Sequence, residues 1–174
     1  IRGLGAALLL AASLGALAQH ASESAVKAAF LFRFASYVEW PQQATAQPEM
    51  PFVFGVAGSD EVASELEKIV AGRAVSSRRA VVRRVTDASL ARGVHVLFVG
   101  KGEPAAAALL REARQHGALT VTETERGLEA GSAINFVVAE NRVGFEISLE
   151  AAERGGHRIS SRMLAVARRV VPRS

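Results

Sequence analysis

The sequence predicts a three-layer α/β/α sandwich, built on a mostly parallel sheet of about six strands with an antiparallel hairpin near the C-terminus. Three observations predict it. Val94-His95-Val96-Leu97-Phe98-Val99-Gly100 is almost continuously apolar and β-favouring, the pattern of a central strand covered on both faces. Apolar runs of this kind alternate with stretches of helical periodicity, as right-handed crossovers between parallel strands require. Two later runs, 134–138 and 142–147, are separated only by Ala139-Glu140-Asn141, which suits a hairpin.

Taken in order, residues 1–18 carry one basic residue, Arg2, then an apolar run from Leu4 to Leu17 and the small-residue ending Ala16-Leu17-Ala18. This reads as a secretory signal peptide cleaved after Ala18, with 19–174 as one domain; an uncleaved signal anchor is the competing reading. Ala21 to Trp40 is then a helix. Ser22 or Ser24 offers an N-cap, and Phe30, Phe34, Tyr37 and Val38 fall at helical spacing until Pro41 stops it.

Phe52 to Ala57 is the next strand, Gly58-Ser59-Asp60 a tight turn, and Val62, Leu66, Ile69 and Val70 mark a helix closed by Gly72. Ala80 to Val85 makes a strand nearer a sheet edge, because Arg83 and Arg84 interrupt its apolar character. Asp87 to Arg92 is a short helical turn. After the central strand, Pro104 opens a helix over 105–116 that Gly117 ends, and Leu119-Thr120-Val121 is a brief strand. Thr122 and Glu125 have capping-box spacing and predict one more helical turn. Beyond the hairpin, Ser148 caps a short helix through Glu153. Ser160 or Ser161 caps a last one, whose apolar side is Met163, Leu164, Ala167, Val170 and Val171.

Composition narrows the function classes. With 174 residues the chain is long enough for one substantial core. It contains no cysteine, which excludes disulfides, a lipid-attachment thiol and thiol chemistry. A net charge of +4 is mildly basic and, with an export signal, argues against nucleic acid as partner.

The chemistry-bearing residues are few. His20, His95, His116 and His157 lack ligand spacing, so no metal is expected, and no nucleophile elbow or triad is found, so neither catalytic residues nor a cofactor is expected. His95 reads as a satisfied core histidine. Gly58-Ser59 lies where a strand feeds a helix and can either hold an anion or serve as an ordinary turn and cap. Arg73, Arg78, Arg79, Arg83 and Arg84 form either a basic patch for an acidic partner or a solvated edge protected by charge. Strand alternation puts Glu146 on the face opposite Phe145 and Ile147, as an ion-paired surface group or a pocket contact.

Three segments together resemble one family. Ala25-Val26-Lys27-Ala28-Ala29-Phe30-Leu31-Phe32-Arg33-Phe34-Ala35-Ser36-Tyr37-Val38-Glu39-Trp40-Pro41 is similar to the opening helix of YfiR-like periplasmic proteins. His95 to Val99 with Leu119 to Val121, and the run from Ile134-Asn135-Phe136 through Phe145-Glu146-Ile147 to Ile159-Ser160-Ser161, resemble its middle and end. The chain departs from the family pattern at Ala130-Gly131-Ser132, where a double glycine is usual, at Ser148 in place of asparagine, and at His157 in place of leucine. The resemblance implies a regulator in the periplasm of a Gram-negative bacterium that binds the periplasmic sensor part of an inner-membrane signalling protein, such as a diguanylate cyclase, and represses cyclic-di-GMP production and biofilm formation. Phe145, Glu146, Ile159 and Met163 are the candidate contact residues. The alternative is a periplasmic sensor of a small-molecule ligand with no cyclase partner, its pocket near Gly58-Ser59 and Gly100-Lys101 at the carboxyl ends of the strands. Homodimerisation is open under both.

Overall fold

The structure is a computed structural model and describes residues 22–41 and 47–173. The expected signal peptide lies outside the described residues. Helix α1 (Glu23–Tyr37) starts where the Ser22 hydroxyl accepts a hydrogen bond from the Ala25 amide at 3.1 Å. It ends earlier than Pro41 alone would dictate. Val38–Glu39 is extended as β1 and pairs antiparallel with β9 (Arg158–Ile159), a two-residue ribbon that no local periodicity marks.

The main sheet has eight strands in the order β10-β8-β7-β6-β5-β2-β4-β3. They are β2 (Phe52–Ala57), β3 (Ala74–Val75), β4 (Arg78–Arg84), β5 (Val96–Val99), β6 (Leu119–Thr122), β7 (Ile134–Ala139), β8 (Arg142–Ser148) and β10 (Arg169–Val171). All pairings are parallel except the β7–β8 hairpin and the short β3–β4 pair at the far edge. The six expected strands are all present. The two additional ones are the edge strands β3 and β10.

Helices α2 (Asp60–Val70) and α3 (Ala106–Gln115) cross over between parallel strands, with a 3-10 turn (Ala88–Ala91) on the α3 side; α4 (Leu149–Arg154) and α5 (Ser161–Leu164) follow the hairpin. Residues of α1, α2, α4 and α5 share one core with Phe54, Phe98, Val121, Phe136 and Phe145. Those of α3 and the 3-10 turn share the other, with Val53, Ala57, Leu97 and Val99. Thus β5 sends Val96 and Phe98 into one core and Leu97 and Val99 into the other, which is why its sequence is apolar without alternation.

Two expectations are corrected. Thr122 is no helix cap: it is the last residue of β6, and its hydroxyl donates to Asn135 Oδ1 at 2.8 Å. The last helix stops at Leu164, so Val170 and Val171 belong to β10 rather than to a helical face. The Arg168 amide donates to the Phe145 carbonyl at 2.8 Å and docks this β-branched segment on the open edge of β8.

Candidate functional site

The two ends of the parallel strands are the places where a crossover sheet can hold a ligand, and they differ. At the carboxyl ends, the strand order reverses between β2 and β5, the usual position for a crevice. Here it is filled. The Gly100 amide donates to the Ala57 carbonyl at 2.8 Å, and a Cβ added at Gly100 would stand 2.6 Å from the Gly58 carbonyl oxygen. Ser59 caps α2 by accepting from the Val62 amide at 3.3 Å, and Gly58, at φ +71°, packs against the Glu103 side chain. A carboxylate therefore stands where an anion would approach the Gly58-Ser59 turn.

Beside it, the buried Lys27 ammonium bridges the carboxylates of Glu23 and Glu123, and Glu123 also accepts from the Lys101 amide at 2.8 Å. Burial opposes the charge on Lys27. The hydrogen bonds to Glu123 and Glu23 outweigh it and raise the ammonium above its ordinary pKa. These groups form a satisfied polar lock between α1 and the loop after β6, and they line a cleft of about 480 Å³ beside the closed strand-order reversal.

That loop is held from below by a buried network. Asn135 Oδ1 accepts from the Thr122 hydroxyl and, at 3.1 Å, from the Thr124 amide, while Ser132 bonds Thr122 at 2.8 Å and the Gly127 carbonyl at 2.9 Å. A Cβ at Gly127 would lie 2.3 Å from Asn135 Oδ1, so only glycine fits over the network. An asparagine inside an otherwise apolar strand was the sequence signal for this role, visible but unread.

The four contact candidates do not form one exposed patch in this conformation. Phe145 and Met163 are buried, and Phe145 packs edge-on against Phe30 and Phe34 at centroid distances of 5.3 and 4.9 Å. Glu146 faces the other side of the sheet in a bidentate pair with Arg169 at 2.9 and 2.8 Å, which raises the Arg169 pKa. Ile159 is half-buried opposite Val38.

At the amino ends of β2, β4, β5 and β6 a cleft of about 700 Å³ is open. Arg78, Arg83, Arg114, Arg154, His95 and His116 contribute to its lining, and among the described residues no carboxylate does. Backbone carbonyls position three of these guanidinium groups. Arg78 donates to the Met50 and Pro51 carbonyls at 2.7 and 3.0 Å, Arg83 to those of Leu90 and Arg92 at 3.2 and 2.8 Å, and Arg114 to those of Ala130 and Gly131 at 3.0 and 3.2 Å. Burial first, then the charges of Arg154 and Arg111, hold Arg114 below its ordinary pKa.

His95 is half-buried rather than fully enclosed. Its Nδ1 accepts from the Val53 amide at 3.1 Å, which places the proton of a neutral ring on Nε2, and the ring stacks on Phe52 at 4.5 Å. Behind this wall Trp40 lies edge-on to Phe52 and to His157, with its indole N–H donated to the Ala35 carbonyl at 3.0 Å. His157 is 1% exposed, and its Nε2 has no hydrogen-bond partner among the described residues. Burial depresses its pKa, with the Ala152 and Gly117 carbonyls acting the other way.

Among the described residues no group of histidines and carboxylates could hold a metal ion, and no helix is long and apolar enough to cross a membrane. No curated protein matches the chain. One similar solved structure is a conserved domain protein from Vibrio cholerae O1 biovar eltor, with a TM-score of 0.56 and 13% identity over 86% of this chain. The chain spans 60% of that protein's length, and at this identity the likeness concerns the fold. A family model described as YfiR/HmsC-like matches residues 24–168, from the first turn of α1 to the residue before β10. Since that match takes in both cores and both ends of the sheet, the chain belongs to the YfiR/HmsC-like family.

Proposed function

We propose that this protein is a periplasmic regulator that binds the periplasmic sensor part of an inner-membrane diguanylate cyclase and holds cyclic-di-GMP production down. The observation that carries this reading is the family match over residues 24–168, which takes in all of the α/β unit but the first residue of α1 and the edge strand β10. The physical requirement is modest: a partner that binds the inactive sensor more tightly than the active one shifts the equilibrium by that difference, with no chemical step. Residues 1–18 would supply export to the periplasm. The contact surface we assign to the hairpin end of the sheet. There Glu146 is partly accessible on one face of β8, while the half-buried Ile159 packs with Phe145 and Met163 on the opposite side.

The test is co-purification of the full chain with a membrane-embedded diguanylate cyclase from the same bacterium, together with cyclic-di-GMP measurement in cells. Wild type should be retained by the cyclase and lower the nucleotide. Glu146→Lys and Ile159→Asp, checked for folding by circular dichroism, should each weaken retention and restore the nucleotide. Retention unchanged in both folded variants sinks this contact surface, and no change in nucleotide on deleting the protein sinks the regulatory role.

A second reading, a small-molecule sensor without a cyclase partner, is favoured by one observation, the open cleft at the amino ends of the strands.

A further inference from the structure

We propose that the cleft at the amino ends of β2, β4, β5 and β6 is a binding site for a small phosphorylated molecule, with Arg83, Arg114 and Arg154 as its phosphate ligands. The proposal takes up the small-molecule reading and gives it a ligand class, and it requires no cyclase partner. The first argument is charge. The chain carries 21 lysines and arginines against 17 acids, so an ordinary stretch of its surface mixes both signs. Among the described residues this cleft gathers four arginines and two histidines without one carboxylate. An adjoining cleft of about 430 Å³ shares Arg114 and Arg154 and adds Arg111 together with one carboxylate, Glu129.

The second argument is pre-organisation. Arg83 and Arg114 each donate through Nη1 to two backbone carbonyls, and among the described residues their Nε and Nη2 groups have no partner. Neutral carbonyls fix a guanidinium without cancelling its charge, so each keeps a forked pair of donors for a ligand's oxygens. Arg154 has one loose ion pair, with Glu150 at 3.7 Å. Burial first, and then the neighbouring charges of Arg154 and Arg111, depress the Arg114 pKa, and a bound dianion would oppose that shift.

The third argument is size and shape. About 700 Å³ lies within the usual range for a small-ligand site and suits a molecule larger than the phosphate group alone. The His95 ring, stacked on Phe52, gives the rest of such a molecule a planar wall. Several guanidinium groups lining one cleft match the charge and oxygen count of a phosphomonoester better than those of a single carboxylate. The same phosphate chemistry occurs on lipid headgroups, and the experiment separates the two sources.

Isothermal titration calorimetry of the full chain with inorganic phosphate, pyrophosphate and adenosine monophosphate is the test, beside sedimentation with vesicles containing phosphatidylglycerol. The expected result is saturable binding of at least one soluble probe. Binding should weaken by at least about tenfold in Arg83→Gln/Arg114→Gln and stay unchanged in Arg162→Gln, which removes one charge on α5. Should the double variant fail to fold by circular dichroism, Arg154→Gln, on an exposed helical position, reads the same loss. No heat with any soluble probe at millimolar concentration overturns the proposal. Equal weakening in Arg162→Gln overturns it too, because net charge rather than the cleft would be responsible. Vesicle binding without soluble-probe binding reassigns the arginines to a membrane surface and overturns the small-molecule site.

Discussion

The carboxyl and amino ends of the same parallel sheet have opposite electrostatic designs. At the carboxyl end, Lys27 is matched by Glu23 and Glu123, and the Gly58 and Gly100 backbones meet where a crevice would open. At the amino end four arginines line an open cleft to which, among the described residues, no carboxylate contributes. The rule that open α/β sheets bind at their carboxyl ends depends on a gap at the reversal of strand order. Two glycines without side chains let the loops close that gap. One end has thus been optimised for stability and the other keeps electrostatic tension, the usual division between scaffold and site.

The sharpest way to break this comparison is Gly100→Ala. Its Cβ would stand 2.6 Å from a backbone oxygen, which cannot rotate away. Urea unfolding should register a loss of about 3 kcal/mol. A loss below about 0.5 kcal/mol would mean that the closure is soft and that the carboxyl end can open for a ligand after all.

Next comes Lys27→Met, which leaves the mostly buried Glu123 carboxylate facing an apolar neighbour. We expect a loss of about 2 kcal/mol, less than for a fully buried pair because Glu23 is half exposed. Lys27→Met/Glu123→Gln should recover most of it, since glutamine still accepts from the Lys101 amide. A double variant as unstable as the sum of the single ones would deny the lock.

How much of this contrast was legible in the sequence depends on locality. The six long strands were, because each is a contiguous apolar run, and β5 announced its two covered faces by lacking alternation. Strand β10 was not: Met163, Leu164, Ala167, Val170 and Val171 keep helical spacing, and only the long-range bond from Arg168 to Phe145 decides for a strand. The capping-box pattern at Thr122 failed for a similar reason, since Asn135 and Ser132 claim its hydroxyl from across the sheet. The cleft was half visible. The arginine run after Gly72 supplies Arg78 and Arg83, but Arg84 turns away to Asp60 and Glu67, and Arg114 and Arg154 arrive from separate helices. Spacing along the chain carries no trace of that convergence.

A smaller effect sharpens the amino-end half of the contrast. His157 is held neutral by burial beside Trp40, below the ordinary value of 6.5. In the window between its folded and unfolded pKa the unfolded chain binds the extra proton, so stability is complete above about pH 6.5 and declines as pH falls. Asp87, Glu112 and Glu153 have depressed pKa values through hydrogen bonds with Ser89, Arg92 and Arg173, and their contributions are lost only at lower pH. The thermal midpoint of wild type should therefore fall between about pH 7.5 and about pH 5, and His157→Leu should flatten that slope. An unchanged slope in the variant would assign the acid response elsewhere.

The smallest expected effect is also the most diagnostic of the difference between the ends. At the carboxyl end, removing a positive charge costs stability, because Lys27 has partners that need it. At the amino end, Arg154→Gln removes a charge whose main neighbours are Arg114 and a carboxylate at 3.7 Å. Its repulsion and its loose attraction nearly offset each other, so the thermal midpoint should stay level or rise slightly at low salt. Any rise should vanish at about 0.5 M salt, where screening shortens the reach of exposed charges to a few ångströms. A clear fall in midpoint would show that the arginines of the cleft are structural, as Lys27 is. In that case the two ends differ in shape alone, and the charge argument for a ligand at the amino end is lost.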